Sequence, residues 1–394
     1  MLNTANKKYD VVIFGATGFT GKLVVEYFLS QYAGNDQISW AMAGRNLEKL
    51  AKVRDQLNAP ADTPLIEANG EDADSIANLV EQTAVVLTTV GPYQLYGENL
   101  IRACAVSGTG YVDLCGEPTW MHDMITKYQT QAQSSGAKII FSCGFDSIPF
   151  DLGVFHLQQK VIAETGSPLE YVKGRVRKMQ GKFSGGTAAS LKATMKAAFA
   201  DPSVMEVLKN PYALASTTNA VEQPNGEKPY FDEALGSWVA PFIMAAINTR
   251  NVHRSNMLLG HQYGHNFKYD EMMLTGPGER GEATANAVAS DKSLGGDDGP
   301  KPGEGPTKEE RDNGFYDVMF VGQDINNKTH IVSVAGEVDP GYGSTSRMIA
   351  ESALCLVENV DNIQGGFYTT APALGNALIK RLRDNAGLTF KIEA

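Results

Sequence analysis

A run near the N-terminus, Val12-Ile13-Phe14-Gly15-Ala16-Thr17-Gly18-Phe19-Thr20-Gly21, carries the strongest chemical signal in the chain. An apolar strand pattern ends in three glycines spaced by three and passes into a helical pattern. Gly15 permits a tight turn. Gly18 lets backbone approach a pyrophosphate with no Cβ in the way, and Gly21 lets the helix pack close to the strand. Backbone N–H groups at the start of such a helix hold phosphate oxygens. A glycine trio alone is a weak signal. At the head of an alternating strand–helix pattern it specifies a dinucleotide.

The end of the second strand selects among dinucleotides. An Asp or Glu there bonds the ribose 2′-hydroxyl of NAD. This chain has Ala43-Gly44-Arg45-Asn46 instead, with no acid. A guanidinium at Arg45 suits a 2′-phosphate, which it can grip with two parallel hydrogen bonds. NADP is therefore the expected cofactor, with Arg45 and Asn46 at its adenosine edge. Asn46 also suits the N-cap of the next helix.

Ligands of open parallel sheets lie beyond the carboxyl ends of the strands. Three of those ends carry Gly and Pro: Val90-Gly91-Pro92-Tyr93, Cys115-Gly116-Glu117-Pro118 and Ser142-Cys143-Gly144-Phe145-Asp146-Ser147-Ile148-Pro149. Val90, Gly91 and Pro92, with Cys143, Gly144 and Phe145, are expected to face the nicotinamide. A reduction there needs a proton beside the hydride. Tyr93 is the first donor candidate, because a phenol can donate and then stabilise developing negative charge; the alternative is a ring packed over the cofactor. Asp146 is the second, unless it caps a helix beginning near Ile148.

Positioning these residues requires a sheet. Val11–Phe14, Ile38–Ala43, Leu65–Ala68, Ala84–Val90, Tyr111–Leu114 and Ala137–Ser142 read as strands. Helical patterns lie between them, including Asn99–Ser107 and Trp120–Gln133. Continuous apolar strands alternating with helices predict a parallel sheet covered on both faces. The expected fold class is α/β, a doubly wound Rossmann-like domain over residues 1–150. A second, α+β substrate and dimerisation domain would span 151–345, and closing helices over 346–394 would return to the first. In the second domain Tyr171–Met179 alternates and reads as a strand with an exposed face. Ser190–Ala200 and Trp238–Asn248 read as helices. The Gly- and Pro-rich stretch 276–313 reads as a mobile loop. Tyr316–Val321 and His330–Val334 read as a hairpin-like pair, followed by helices Thr345–Val357 and Ala373–Arg383.

The strings GATGFTG, AGR, VGPY..YGE, YVDLCGE and CGFDSIPFDLG occur in order and resemble the saccharopine dehydrogenase-like oxidoreductases, with the trans-acting enoyl reductases as the nearest branch. Ser184-Gly185-Gly186-Thr187, Asp339-Pro340-Gly341-Tyr342 and Thr370-Ala371-Pro372-Ala373-Leu374-Gly375 fit the same pattern. Cys115, where a small residue such as threonine is expected, and Ala371, which interrupts a plain Thr-Pro, depart from it. The resemblance implies an NADP-dependent oxidoreductase with a substrate domain inserted after the sixth strand. An enoyl or carbonyl group of a lipid-like or small carbonyl substrate would be reduced.

Other readings fit less well. Short-chain dehydrogenases need Tyr-x-x-x-Lys, and no tyrosine here has lysine four positions on. Arg175, Arg177, Arg250 and Arg254 would suit amino-acid carboxylates but equally a solvated face. His253, His261 and His265 lack the acid or cysteine that would complete a zinc set. No metal is expected. A non-catalytic NADP-binding sensor or scaffold is the alternative from another class. It would have no need of the polar cluster Tyr93, Asp146 and Ser147. The net charge of −11 argues against a nucleic-acid partner. The chain shows no apolar run of membrane-spanning length and no signal-peptide pattern. Its four cysteines form no paired motif, so reduced thiols and a cytoplasmic location are expected; a homodimer is expected as well.

Overall fold

The computed structural model describes residues 7–32, 34, 37–182, 185–216, 220–291, 304–358 and 363–394. The first strands form where apolar residues run without interruption: β1 (Tyr9–Phe14), β2 (Trp40–Gly44), β3 (Leu65–Glu67), β4 (Thr83–Thr88), β5 (Gly110–Val112) and β6 (Lys138–Ile140). The connections are α1 (Phe19–Tyr32), α2 (Leu47–Gln56), α3 (Ala73–Glu81), α4 (Tyr93–Tyr96) with α5 (Glu98–Ser107), and α6 (Pro118–Ser135). Every residue of β4 is buried, as a strand covered on both faces must be.

After α7 (Ile148–Thr165) the chain builds β7 (Tyr171–Gln180), α8 (Gly185–Ala200), α9 (Pro202–Lys209), β8 (Tyr230–Asp232), β9 (Ser237–Pro241), α10 (Ala245–Leu258) and β10 (Lys268–Gly276). Then come α11 (Gly278–Ser290), α12 (Lys308–Asp312), β11 (Phe315–Gln323), β12 (Thr329–Gly336), α13 (Thr345–Glu358), β13 (Gly366–Tyr368), α14 (Thr370–Asp384) and β14 (Leu388–Ile392).

The first sheet has the order β13-β6-β5-β4-β1-β2-β3. All its neighbours pair in parallel. The chain leaves β1 on one side to β2 and later returns on the other as β4. That reversal opens a crevice at the carboxyl end of β1. The second sheet runs β14-β12-β11-β7-β10-β9-β8. It is antiparallel except where β7 meets β10. Buried Glu351 of α13 accepts hydrogen bonds from Tyr27 Oη (2.7 Å), Tyr32 Oη and Arg381 Nε (2.8 Å), tying α1, α13 and α14 together.

Several expectations are corrected. Trp238–Asn248 is not one helix: Ser237–Pro241 is a strand paired with β8 and β10, and the helix starts at Ala245. Pro241 offers no N–H and biases the residue before it towards extended backbone, so the apolar run changes type there. The stretch 276–313 is not a loop throughout. Its Ala-rich part forms α11, since alanine is the best helix former. Thr307 and Glu310 cap α12 reciprocally. Residues 292–303, and Ser184 of the quoted motif, lie outside the described residues. The C-terminal segment brings strands as well as helices. β13 joins the first sheet beside β6, and β14 the second beside β12. β7 lies mid-sheet and keeps a partly exposed face at Tyr171, Lys173 and Arg177, but Arg175 on that face is wholly buried, with Asp270 at 3.0 Å and Asp232 at 3.5 Å balancing its charge.

Candidate active site

The glycine turn has the geometry its spacing implies. Gly15 sits at φ +94°, and a Cβ on it would stand 2.8 Å from Val90 Cγ2 and 2.9 Å from Thr89 Oγ1. A Cβ on Gly21 would lie 2.1 Å from the Gly15 carbonyl oxygen, so α1 can approach β1 only with glycine there. Gly18 N–H donates to Gly15 O at 2.9 Å and closes the turn.

A cavity of about 600 Å³ opens above this turn. Gly15, Thr17, Gly18, Phe19 and Thr20 line one end of it, with Arg45 at the exposed edge of β2. Val90, Gly91, Gly144 and Phe145 continue the same wall. Ala16, Gly21, Pro92 and Cys143 support the wall from outside the lining, and Ala16 and Cys143 are fully buried. Asn46 also lies outside it: its Oδ1 accepts Lys49 N–H at 2.8 Å and caps α2. Residues beyond 178 complete the lining, with apolar Leu191, Phe242, Met244 and Ile247 beside polar Lys182, Thr187, Ser190 and Thr194. The C-terminal half also reaches the nucleotide turn, where the Tyr342 ring meets Phe19 edge-on at 4.7 Å.

Tyr93 and Asp146 both reach the cavity but differ in what their polar atoms do. The Tyr93 hydroxyl donates to Thr88 O at 3.3 Å and accepts Leu114 N–H at 3.0 Å. Burial, reinforced by nearby Asp113, pushes its pKa well above the usual phenol value. The ring is 5% exposed and packs on Trp120. Tyr93 is thus a brace between two strand ends. Tyr93→Phe should leave NADPH-dependent turnover within about threefold and cost about 1–2 kcal/mol of stability, because Leu114 N–H loses its acceptor. A hundredfold loss of turnover in a normally stable variant would restore the donor role.

Asp146 Oδ1 is buried and has no hydrogen-bond partner. Burial pushes its pKa up to about 7. The carboxyl does not cap α7; Ser147 occupies the N-cap position, and its Oγ accepts Asn251 Nδ2–H at 2.8 Å. A carboxyl that is proton-loaded near neutral pH and faces a cavity can act as a general acid.

Glu117 was not among the candidates. It is 1% exposed, and its carboxylate accepts Tyr93 N–H (2.8 Å), Gln94 N–H (2.9 Å) and Ser190 O–H (2.7 Å). Its place in the quoted YVDLCGE string was the available signal. The donors that converge on it come from α4 and α8, far apart in sequence.

The alternative sites dissolve into structure. Arg250 donates to the Ala246 and Leu208 carbonyls. Arg254 holds Leu214 O (2.6 Å) and Phe367 O (2.7 Å), and Arg177 pairs with Asp317 and Glu393. Burial pushes the His253 pKa down to about 3, so that ring stays neutral. The described residues contain no cluster able to hold a metal ion. None of the four cysteines forms a disulfide, and all four are buried. No helix among the described residues is long and apolar enough to cross a membrane.

Comparison with known proteins agrees with this geometry. Residues 11–140 match the saccharopine dehydrogenase NADP-binding domain. The chain is 34% identical over 412 residues to a trans-acting enoyl reductase of Mycobacterium tuberculosis, covering 97% of each chain. It is also 34% identical over 410 residues to one of Mycobacterium ulcerans, again with 97% of each covered. Among solved structures, saccharopine dehydrogenase (L-Glu forming) of Saccharomyces cerevisiae superposes with a TM-score of 0.55 at 12% identity, over 98% of this chain and 100% of that one. The homospermidine synthase of Legionella pneumophila gives 0.53 at 9% identity, over 98% and 92%. At those identities the structures speak for the fold alone. With its glycine turn, its cavity between two sheets and relatives matched over nearly their whole length, the chain belongs to the saccharopine dehydrogenase-like family of NADP-dependent oxidoreductases.

Proposed function

We propose that the protein reduces the C=C bond of an α,β-unsaturated, lipid-like acyl substrate, with NADPH as hydride donor and Asp146 as proton donor. One observation carries this reading: Asp146, whose buried Oδ1 has no hydrogen-bond partner, lines a cavity to which Phe242, Met244 and Ile247 give apolar surface. The names of the mycobacterial relatives support the enoyl acceptor.

The residues present suit the cofactor. Gly15 and Gly21 allow the tight turn and close helix packing of a dinucleotide loop, since a Cβ on either would collide with the protein itself, and Arg45 lines the cavity where a 2′-phosphate needs a cation. Bound NADPH supplies a hydride at the nicotinamide. The chain supplies the rest. The Gly15–Gly21 turn and the start of α1 hold the pyrophosphate. Gly91, Gly144 and Phe145 flank the reacting edge. Phe242, Met244 and Ile247 take up the acyl chain and exclude water. Asp146 delivers a proton to the carbon next to the carbonyl as negative charge develops there.

Arg45→Ala should weaken NADPH by about 1.5–3 kcal/mol, the worth of a charge-assisted contact, and leave NADH binding level. Fluorescence titration with each cofactor checks this. Equal losses would remove the arginine from the 2′-phosphate.

The acceptor is tested by following NADPH consumption with a short and a long 2-enoyl thioester, the product being identified by mass spectrometry. The expected result is a saturated acyl product, formed more efficiently from the longer chain. Consumption with a ketone or imine and not with either thioester would move the reading to C=O or C=N reduction.

A further inference from the structure

One part of the cavity wall is built unlike the rest. α8 and α9 contribute Thr187, Ser190, Leu191 and Thr194, with Leu208, to the lining. On α8 these fall at helical spacing, so one face of the helix covers the cavity. Yet α9 buries no residue, and α8 buries only Gly185, Ala188 and Thr194. Phe199, 86% exposed, and Met195, 42% exposed, stand away from any core. A segment with so little buried apolar surface opens at low free-energy cost.

Polar contacts hold it over the cavity. Ser190 O–H donates to Glu117 Oε1 at 2.7 Å, and Gln94 Nε2–H donates to Thr194 Oγ1 at 3.1 Å. Both cross to the Gly91–Gln94 turn, because the Glu117 carboxylate also takes Tyr93 N–H and Gln94 N–H. That turn follows Gly91, which lines the cavity beside the nucleotide loop.

We propose that α8–α9 is a lid over the substrate end of the cavity and that Glu117 latches it to the cofactor-side turn, so that cofactor binding closes the lid. A cofactor packed against Gly91 restrains the Tyr93 and Gln94 N–H groups. They fix the Glu117 carboxylate, and it presents a fixed acceptor to Ser190. Glu117 is a positioning residue in this scheme. The scheme requires NADPH to bind before the acceptor and depends on the cofactor rather than on the identity of the acceptor.

The test is hydrogen–deuterium exchange on the full chain, with and without NADPH, in wild type and Ser190→Ala. In wild type NADPH should slow exchange of the α8 amides by about fivefold or more. In Ser190→Ala that protection should vanish and NADPH affinity, read by fluorescence, should fall by about the same fivefold, since the stabilisation that cofactor and lid give each other is reciprocal. Glu117→Gln, if it folds, should lose protection and weaken NADPH together. Absence of NADPH-induced protection in wild type, or equal protection in Ser190→Ala, would overturn the proposal.

Discussion

Asp146→Asn should lower turnover by roughly a hundredfold or more and leave NADPH affinity level, the signature of a lost general acid. Asparagine keeps the shape of the side chain and cannot give up a proton. The pH dependence has a definite sign. The Asp146 pKa is raised to about 7 by burial, and the reactive form is the protonated one. Turnover should therefore be full at lower pH and fall as pH rises through about 7. The variant should lose that limb. Glu271 lies in the same buried region and feels the Asp146 charge; its own pKa is pushed far above the usual carboxyl value, first by burial. A variant with wild-type turnover and the same pH limb would hand the proton to solvent.

Gly21→Ala should cost more than any other single methyl added to the nucleotide turn. Its Cβ would meet backbone only: Gly15 O at 2.1 Å, Gly15 C at 2.8 Å and Ala16 Cα at 2.9 Å. Backbone cannot rotate away as a side-chain tip can. Overpacking of this kind costs about 1–3 kcal/mol even when the surroundings adjust. Here the adjustment would pull α1 away from β1 and misplace the phosphate site. A lower melting temperature together with loss of NADPH binding is expected. Gly18→Ala gives the contrast. Its Cβ would lie 3.3 Å from Gly15 O, so the fold should persist while the methyl intrudes where a pyrophosphate approaches. Thermal melts and fluorescence titrations of the pair separate the two roles. Equal stability in both variants would show that α1 does not need the close approach.

Much of the first sheet was legible in the chain because its signals are local. An unbroken apolar strand such as Val11–Phe14 and a glycine spacing each fit within a few residues. What escaped depends on distant partners. β13 is the three residues Gly366–Tyr368, and only β6 beside it makes it a strand. Arg175 looks solvated in an alternating pattern until Asp232 and Asp270 arrive from two other strands. The Tyr93 hydroxyl suits proton donation by type, but Thr88 and Leu114 engage it from both sides. Asp146 stands out for the opposite reason: nothing nearby satisfies its buried oxygen. The Ala-rich helix α11 was obscured by the glycines and prolines around it.

Hydride transfer to an enoyl acceptor would take place in the cavity between the two sheets. Its most direct test uses NADPH deuterated at the reactive face of the nicotinamide, a 2-enoyl thioester and the wild-type protein, with mass spectrometry and NMR of the product. One deuterium at the β-carbon of a saturated thioester, with an ordinary hydrogen from solvent at the α-carbon, is the predicted result. Bound NADPH that transfers no label to any enoyl thioester, or label found on a carbinol carbon instead, would contradict it.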